Sequence, residues 1–188
     1  MRNIRLETDR LLLREYRWED LEFHANLITD PDVMYYIQDV YAKTREEALD
    51  NLAGAIEAKY DENTDFVFLV IADKETEEYM GGIGYSVLER SPVGKRVEPG
   101  YFLYKKYWGK GYCTEALKEI LRYAFEEDGV RRVDMTCIKD NIRSRKVMEH
   151  CGLIFEGERR GYEYHVDGVK SRLHFGILKE EWEEIYKK

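Results

Sequence analysis

The sequence has few of the features that mark exported, membrane-bound or disulfide-linked proteins. It contains three cysteines in 188 residues, an odd number without the paired spacing of a zinc site or a redox motif. Reduced thiols in the cytoplasm are the simplest interpretation. The opening residues mix charged and apolar side chains and contain no signal core, and no apolar run approaches the roughly 18 residues that a membrane helix needs.

An excess of positive charge is also missing. The formal net charge is −8, whereas proteins that bind phosphate backbones carry clustered lysine and arginine, so no nucleic-acid partner is expected. An acidic surface favours binding of a cationic molecule, although many acidic proteins gain only solubility from their charge. The length predicts a single domain over residues 1–188, because this chain is long enough for one substantial core. We expect a monomer or a homodimer.

Hydrophobic periodicity predicts a mixed α/β chain. The first predicted strand is Arg10–Tyr16, and two or three helices follow it, one near Trp18, a short one at Pro31–Ile37 and one with a capping box at Thr44 and Glu47. The later predicted strands are Asp65–Ala72, Tyr79–Leu88, Val97–Tyr104, Val130–Ile138, Leu153–Gly157 and Arg172–Leu178. A helix is predicted after Gly111 and another at Ile142–His150.

The segment Trp108–Thr114 (WGKGYCT) lies between a predicted strand and a predicted amphipathic helix. Its glycines allow close backbone approach to a ligand, and the free N–H groups of a helix start favour a phosphate group. The pattern fits either an anion site or a tight connection. It is not a dinucleotide fingerprint, which needs a third glycine where Thr114 stands, and it is not a Walker loop, because Gly111 follows Lys110.

A second informative segment, Asp140–Leu153 (DNIRSRKVMEHCGL), follows the next predicted strand. Together the two segments resemble the GNAT superfamily of acyl-CoA N-acetyltransferases, which have an Arg/Gln-x-x-Gly-x-Gly/Ala pyrophosphate turn and a later Asn-x-x-Ser/Ala helix ending in Gly-Phe or Gly-Leu. This sequence departs from the turn motif at its first position, which is Trp108, and at its last position, which is Cys113. The opening Thr8–Arg14 (TDRLLLR) and the closing Asp167–Gly168 and Leu178–Trp182 are similar to the RimJ/RimL-type branch, which acetylates the N-termini of ribosomal proteins. The similarity covers nearly the whole chain.

The resemblance implies a single-domain α+β fold with acetyl-CoA as acyl donor and a primary amine as acceptor. The expected sheet is mixed and mostly antiparallel, with helices on both faces and a splayed central strand pair that begins at Val97 and Val130. The residues implied to hold the donor are Tyr101, Phe102, Leu103, Gly109, Lys110, Gly111, Tyr112, Cys113, Thr114, Asn141 and Lys146. Lys110, Lys146 and Arg143 are either phosphate partners or solvated helix charges.

Two side chains are candidates for proton transfer. An alkylammonium group with a pKa of about 10 must lose a proton before it attacks a carbonyl, and Glu98, beside Pro99, is the candidate base; the alternative is a solvated strand carboxylate. Met148 stands where many family members carry a tyrosine acid. Ser144 is therefore the candidate relay to the leaving thiolate, although a helix-surface hydroxyl is an equal interpretation.

The sequence leaves the identity of the acceptor amine open. A protein N-terminal alanine or serine, or a small amine such as a polyamine, aminoglycoside or amino acid, fits the sequence equally well, because residues 18–60 carry no deciding pattern. The missing acid at Met148 leaves a non-catalytic acyl-CoA-binding sensor as a further alternative. No histidine has metal-ligand spacing with the cysteines, so no metal is expected.

Overall fold

The computed structural model describes residues 3–61 and 63–187. The strands in this part of the chain are β1 (Arg5–Glu7), β2 (Leu11–Glu15), β3 (Phe66–Asp73), β4 (Tyr79–Ser91), β5 (Gly94–Leu103), β6 (Val130–Ile138), β7 (Ile154–His165) and β8 (Gly168–Leu178). The α-helices are α1 (Leu21–Ile28), α2 (Arg45–Ala58), α3 (Tyr112–Glu126), α4 (Ile142–His150) and α5 (Lys179–Tyr186). Short 3₁₀ helices lie at Trp18–Asp20, Met34–Tyr36 and Lys105–Tyr107.

The described residues group into two compact units. The first comprises residues 3–61, 63–86 and 100–119, and the second comprises residues 87–99 and 120–187. Strands β4 and β5 and helix α3 each contribute residues to both units. None of the helices in the described ranges is both long enough and apolar enough to cross a membrane.

In the first unit, β1, β2, β3 and β4 pair in sequence order, each antiparallel to the next. Helices α1 and α2 each bury one apolar face in a core cluster with Leu12 of β2 and Val70 of β3. The predicted N-cap of α2 is confirmed, since Thr44 Oγ1 accepts a hydrogen bond of 3.2 Å from the Glu47 amide. Gly81 is required in β4 because a side chain there would overlap the carbonyl oxygen of Phe102.

In the second unit, β5 pairs with β6 in parallel, with Lys95 opposite Val130 and Val97 opposite Val133. Strand β6 continues antiparallel to β8, and β8 pairs antiparallel with β7. Helix α5 packs through its buried Trp182, whose ring centroid lies 5.5 Å from that of Phe125. Burial of this indole explains why a short, highly charged segment is ordered as a helix.

The predicted fold class, a mixed and mostly antiparallel α+β architecture, is confirmed by these pairings. The predicted helix at Pro31–Ile37 is shorter in the structure, where only Met34–Tyr36 forms a 3₁₀ turn. The last two strands are longer than predicted, since β7 extends to His165 and β8 starts at Gly168. The assignment of residues 1–188 to one domain stays a prediction.

Candidate active site

The turn that precedes α3 has the backbone of an anion-binding loop. Gly109 and Gly111 both adopt left-handed conformations, with φ of +73° and +82°, which side-chain-bearing residues rarely adopt. Helix α3 begins directly afterwards at Tyr112, so its first amides and the positive end of its dipole lie at this turn. Alternating left-handed residues of this kind form backbone nests that bind anions. The residues present therefore fit the pyrophosphate of CoA.

The turn is held from one side by residues of the N-terminal segment. Glu115, in the first turn of α3, accepts hydrogen bonds from Thr8 Oγ1 at 2.6 Å and from the Arg10 amide at 2.9 Å through Oε1. Its Oε2 accepts from Arg10 Nε at 2.7 Å. Burial alone would raise the pKa of Glu115, but the hydrogen bonds from Thr8 and Arg10 outweigh it and lower the pKa.

The same guanidinium group also contacts the turn itself. Arg10 Nη1 donates to the carbonyl oxygen of Lys110 at 3.2 Å, and the guanidinium carbon lies 4.4 Å from the ring centroid of Tyr112. A Cβ at Gly111 would be 3.6 Å from Arg10 Nη2. Sequence reasoning assigned no role to Arg10 or Glu115, although Arg10 lies in a motif that it singled out.

Trp108 connects the turn to the end of β5 by a hydrogen bond. The indole Nε1 donates to the carbonyl oxygen of Leu103 at 2.8 Å, and the Tyr104 amide donates to the carbonyl oxygen of Met80 at 3.0 Å. Leu103 is buried, whereas Tyr101 and Phe102 are half-buried. Trp108 replaces the Arg or Gln that is usual at the first position of the turn, and here its ring holds the strand that leads into the turn.

Glu98 lies in the second unit and is hydrogen-bonded to a neighbouring strand. Thr136 Oγ1, on β6, donates to Glu98 Oε1 at 3.0 Å. Arg172 Nη1, on β8, donates to Thr136 Oγ1 at 2.8 Å, and this guanidinium also pairs with both carboxylate oxygens of Glu163, at 2.9 Å and 2.6 Å. The Glu98 carboxylate is therefore oriented by a chain of polar side chains. Sequence reasoning did not identify Thr136, because its contact depends on strand register.

Helix α4 carries the remaining predicted residues. Asn141 is its N-cap, and its Oδ1 accepts a hydrogen bond from the Ser144 amide at 3.1 Å. Ser144 is half-buried and Lys146 is exposed. Met148 is completely buried, so the position of the usual tyrosine acid is part of the core here. The structure gives Asn141 a capping role, and its predicted contact with the pantetheine arm stays a prediction.

Other candidate groups in the chain are structural. Cys113, Cys137 and Cys151 are not disulfide-bonded, and burial raises the pKa of Cys137 to about 11, so this thiol is unsuited to nucleophilic chemistry. His24 is buried between Tyr79 and Asn51, and burial lowers its pKa. Within residues 3–61 and 63–187, no group of three or more histidine, cysteine, aspartate or glutamate side chains is arranged to hold a metal ion.

Comparison with known proteins identifies the family. Residues 10–154 match the family described as Acetyltransferase (GNAT) domain. A solved GNAT-family acetyltransferase from Bacillus anthracis has 26% sequence identity and a TM-score of 0.81, with 94% of this chain and 99% of that chain covered.

Two relatives have names that specify different acetyl transfers. The FsC-acetyl coenzyme A-N(2)-transacetylase of Aspergillus fumigatus is 29% identical over 192 residues, which cover 97% of this chain and 79% of the relative. The ribosomal-protein-serine acetyltransferase of Escherichia coli K12 is 31% identical over 81 residues, or 43% of this chain and 44% of that protein. With the family match over most of its length, this chain belongs to the GNAT family and is an acetyl-CoA-dependent N-acetyltransferase.

Proposed function

We propose that this enzyme transfers the acetyl group of acetyl-CoA to the α-amino group of a protein N-terminal serine or alanine. The start of α3 supports the choice of acetyl-CoA as donor, because two left-handed glycines precede its first amides within the segment that matches the family. The acceptor class draws on the Escherichia coli relative, whose name specifies a ribosomal-protein serine. It also draws on the similarity of Thr8–Arg14 to that branch.

In this proposal the donor is held mainly by backbone groups. Amides of Gly109–Thr114 bind the pyrophosphate, and backbone groups of Tyr101–Leu103 bind the pantetheine arm and the thioester carbonyl. Asn141 orients the arm, and Lys110 and Lys146 supply positive charge near the remaining phosphate. A β5 amide near Phe102 or Leu103 meets the oxyanion of the tetrahedral intermediate, a contact worth about 3 kcal/mol in comparable sites.

Glu98 is the proposed base on the acceptor side. The ammonium group gives up a proton to its carboxylate, directly or through one water, and the neutral amine then attacks the thioester carbon. This attack forms the C–N bond and the tetrahedral intermediate, whose collapse restores the carbonyl group and breaks the C–S bond. The nitrogen then loses its second proton to water, which balances the proton taken up by the departing sulfur. The hydrogen bond from Thr136 to Oε1 of Glu98 orients this carboxylate, and Oε2 is the oxygen assigned to receive the proton.

The thiolate leaves without help from a tyrosine in this proposal. Met148 is fully buried and has no proton to donate. A thiol with a pKa of about 8.5 is a tolerable leaving group, and Ser144 on the same helix passes a proton to the sulfur through water. The missing tyrosine therefore slows departure without preventing turnover.

A small-molecule amine is the second candidate acceptor. One observation favours it: the Aspergillus fumigatus relative, whose name specifies an N(2) position and no protein acceptor, aligns with 97% of this chain, whereas the Escherichia coli relative aligns with 43%. An acidic protein with a net charge of −8 also attracts cationic small molecules.

An acceptor screen that follows release of the CoA thiol tests the proposal. Peptides with N-terminal serine or alanine are compared with the same peptides N-acetylated, and with a panel of polyamines, aminoglycosides and amino acids. The proposal expects steady thiol release with the free peptides and background release with the blocked ones. Turnover with small amines alone would select the second candidate, and donor binding without turnover on any amine would indicate a sensor.

A further inference from the structure

The N-terminal motif Thr8–Arg14 has a physical role that its resemblance to one family branch does not explain. Thr8 and Arg10 precede β2 and contact the start of α3, more than one hundred residues later in the chain. Their partners are one carboxylate, Glu115, and one carbonyl, that of Lys110. Lys110 lies in the glycine turn and Glu115 lies in the first helical turn of α3. Both belong to the region that binds the pyrophosphate in the proposed function.

The contact to the Lys110 carbonyl orients the turn. In a trans peptide the carbonyl of one residue and the amide N–H of the next point in opposite directions. Because Arg10 Nη1 donates to the Lys110 carbonyl, the Gly111 N–H points away from the guanidinium group. This is the direction in which an amide remains available to an anion. The flanking glycines are flexible in the absence of such a contact.

The contact to Glu115 balances charge at the helix start. A carboxylate in the first turn interacts favourably with the helix dipole, and it competes there with a phosphate group for the same positive end. Arg10 places its guanidinium against this carboxylate, with Nη2 2.6 Å from Oε2. The pair is neutral overall, so the negative charge of Glu115 repels the pyrophosphate less.

We propose that Arg10 is a positioning residue for the pyrophosphate of acetyl-CoA, acting through Glu115 and the Lys110 carbonyl without contacting the donor. This inference rests on the proposed function. It assigns the N-terminal motif to donor recognition and makes the fork shape of arginine essential, since one side chain must bond a carboxylate and a carbonyl simultaneously.

Calorimetric binding of CoA and of 3′-dephospho-CoA to the full-length protein tests this role. Arg10→Ala is expected to weaken both ligands about tenfold, because both contain the pyrophosphate. With S-acetylpantetheine, which lacks it, kcat/KM should change less than twofold. Arg5→Ala is the matched control, since Arg5 is equally exposed, at 50% against 47%, and pairs with Glu7 on the surface. It should bind both ligands as the parent does.

Arg10→Lys separates positioning from charge. Lysine keeps the positive charge but cannot form the fork, so binding of CoA should remain about fivefold weaker than in the parent. Parent-like binding by Arg10→Lys would overturn the proposal, because charge alone would then suffice. Three other results would also overturn it: unchanged CoA binding by Arg10→Ala, a loss limited to CoA, which would indicate direct contact with the 3′-phosphate, or equal losses with S-acetylpantetheine.

Failure of the proposed function has a different signature. In that case the parent protein itself would bind CoA and 3′-dephospho-CoA no more tightly than it binds pantetheine. The phosphate turn would then be wrong, and the role of Arg10 with it.

Discussion

The start of α3 and the surroundings of Glu98 are organised by opposite means. At α3 the groups proposed to bind the ligand are backbone amides. Side chains such as Arg10 and Trp108 stabilise the turn by donating hydrogen bonds to carbonyl and carboxylate oxygens. At Glu98 the reacting group is a side chain, oriented by the hydroxyl of Thr136. Donor recognition should therefore depend on backbone conformation, and proton transfer on the identity of single side chains.

Gly111→Val is expected to have the largest effect, because it changes the backbone of the turn that is proposed to bind the donor. A β-branched residue is strained at a φ of +82° and would crowd the amides of the turn, so affinity for acetyl-CoA should fall by at least about a hundredfold, as measured by calorimetry. Gly129→Val is the matched control, since Gly129 has a φ of +64° after α3. It should lower thermal stability and leave donor affinity within about twofold. Parent-like binding by Gly111→Val would show that the turn does not hold the phosphates.

Thr136→Val is expected to have a smaller effect, because it changes only the side chain that orients Glu98. Valine preserves the shape of threonine but removes the hydroxyl that donates to Glu98, so kcat should fall about threefold to tenfold while the KM for acetyl-CoA stays constant. Thr76→Val is its control, because Thr76 donates to Asp73 at 3.0 Å on an exposed turn. Equal kinetics for the two variants would mean that orientation of Glu98 does not affect the rate.

Cys113→Ala should have the smallest effect. Cys113 occupies the last position of the turn, where the family usually has Gly or Ala, and a backbone amide at this position is independent of the side chain. Donor affinity and turnover should both remain within about twofold of the parent values. A tenfold loss in either would show that the thiol participates and that recognition at this turn is not confined to the backbone.

The sequence predicts the start of α3 better than it predicts the surroundings of Glu98. Glycine spacing before an amphipathic helix predicts the turn and the start of α3, because left-handed backbone selects for glycine. Strand β6 and helix α4 have the predicted bounds, Val130–Ile138 and Ile142–His150. These features depend on local patterns, so the chain alone reveals them.

Contacts that depend on register or on distant pairing were not predictable in this way. The hydrogen bond of Thr136 to Glu98 and the pairing of Arg10 with Glu115 join residues that are 38 and 105 positions apart. Strand β7 was underestimated because most of its side chains are exposed, so no apolar alternation marks it. Its order comes from pairing with β8, and the charged helix α5 depends similarly on burial of Trp182.

The pH dependence of turnover in Glu98→Gln tests the central claim most directly. Glutamine keeps the shape and can still accept from Thr136, but it cannot take a proton, so turnover at neutral pH should fall at least about tenfold with acetyl-CoA affinity unchanged. The deficit should shrink as the pH approaches the pKa of the acceptor amine, since solvent then supplies the free amine. Glu89→Gln, which alters an exposed carboxylate paired with Arg96 and Arg131, should match the parent throughout. Coincident parent and Glu98→Gln rates at neutral pH would contradict the account and make Glu98 a structural carboxylate.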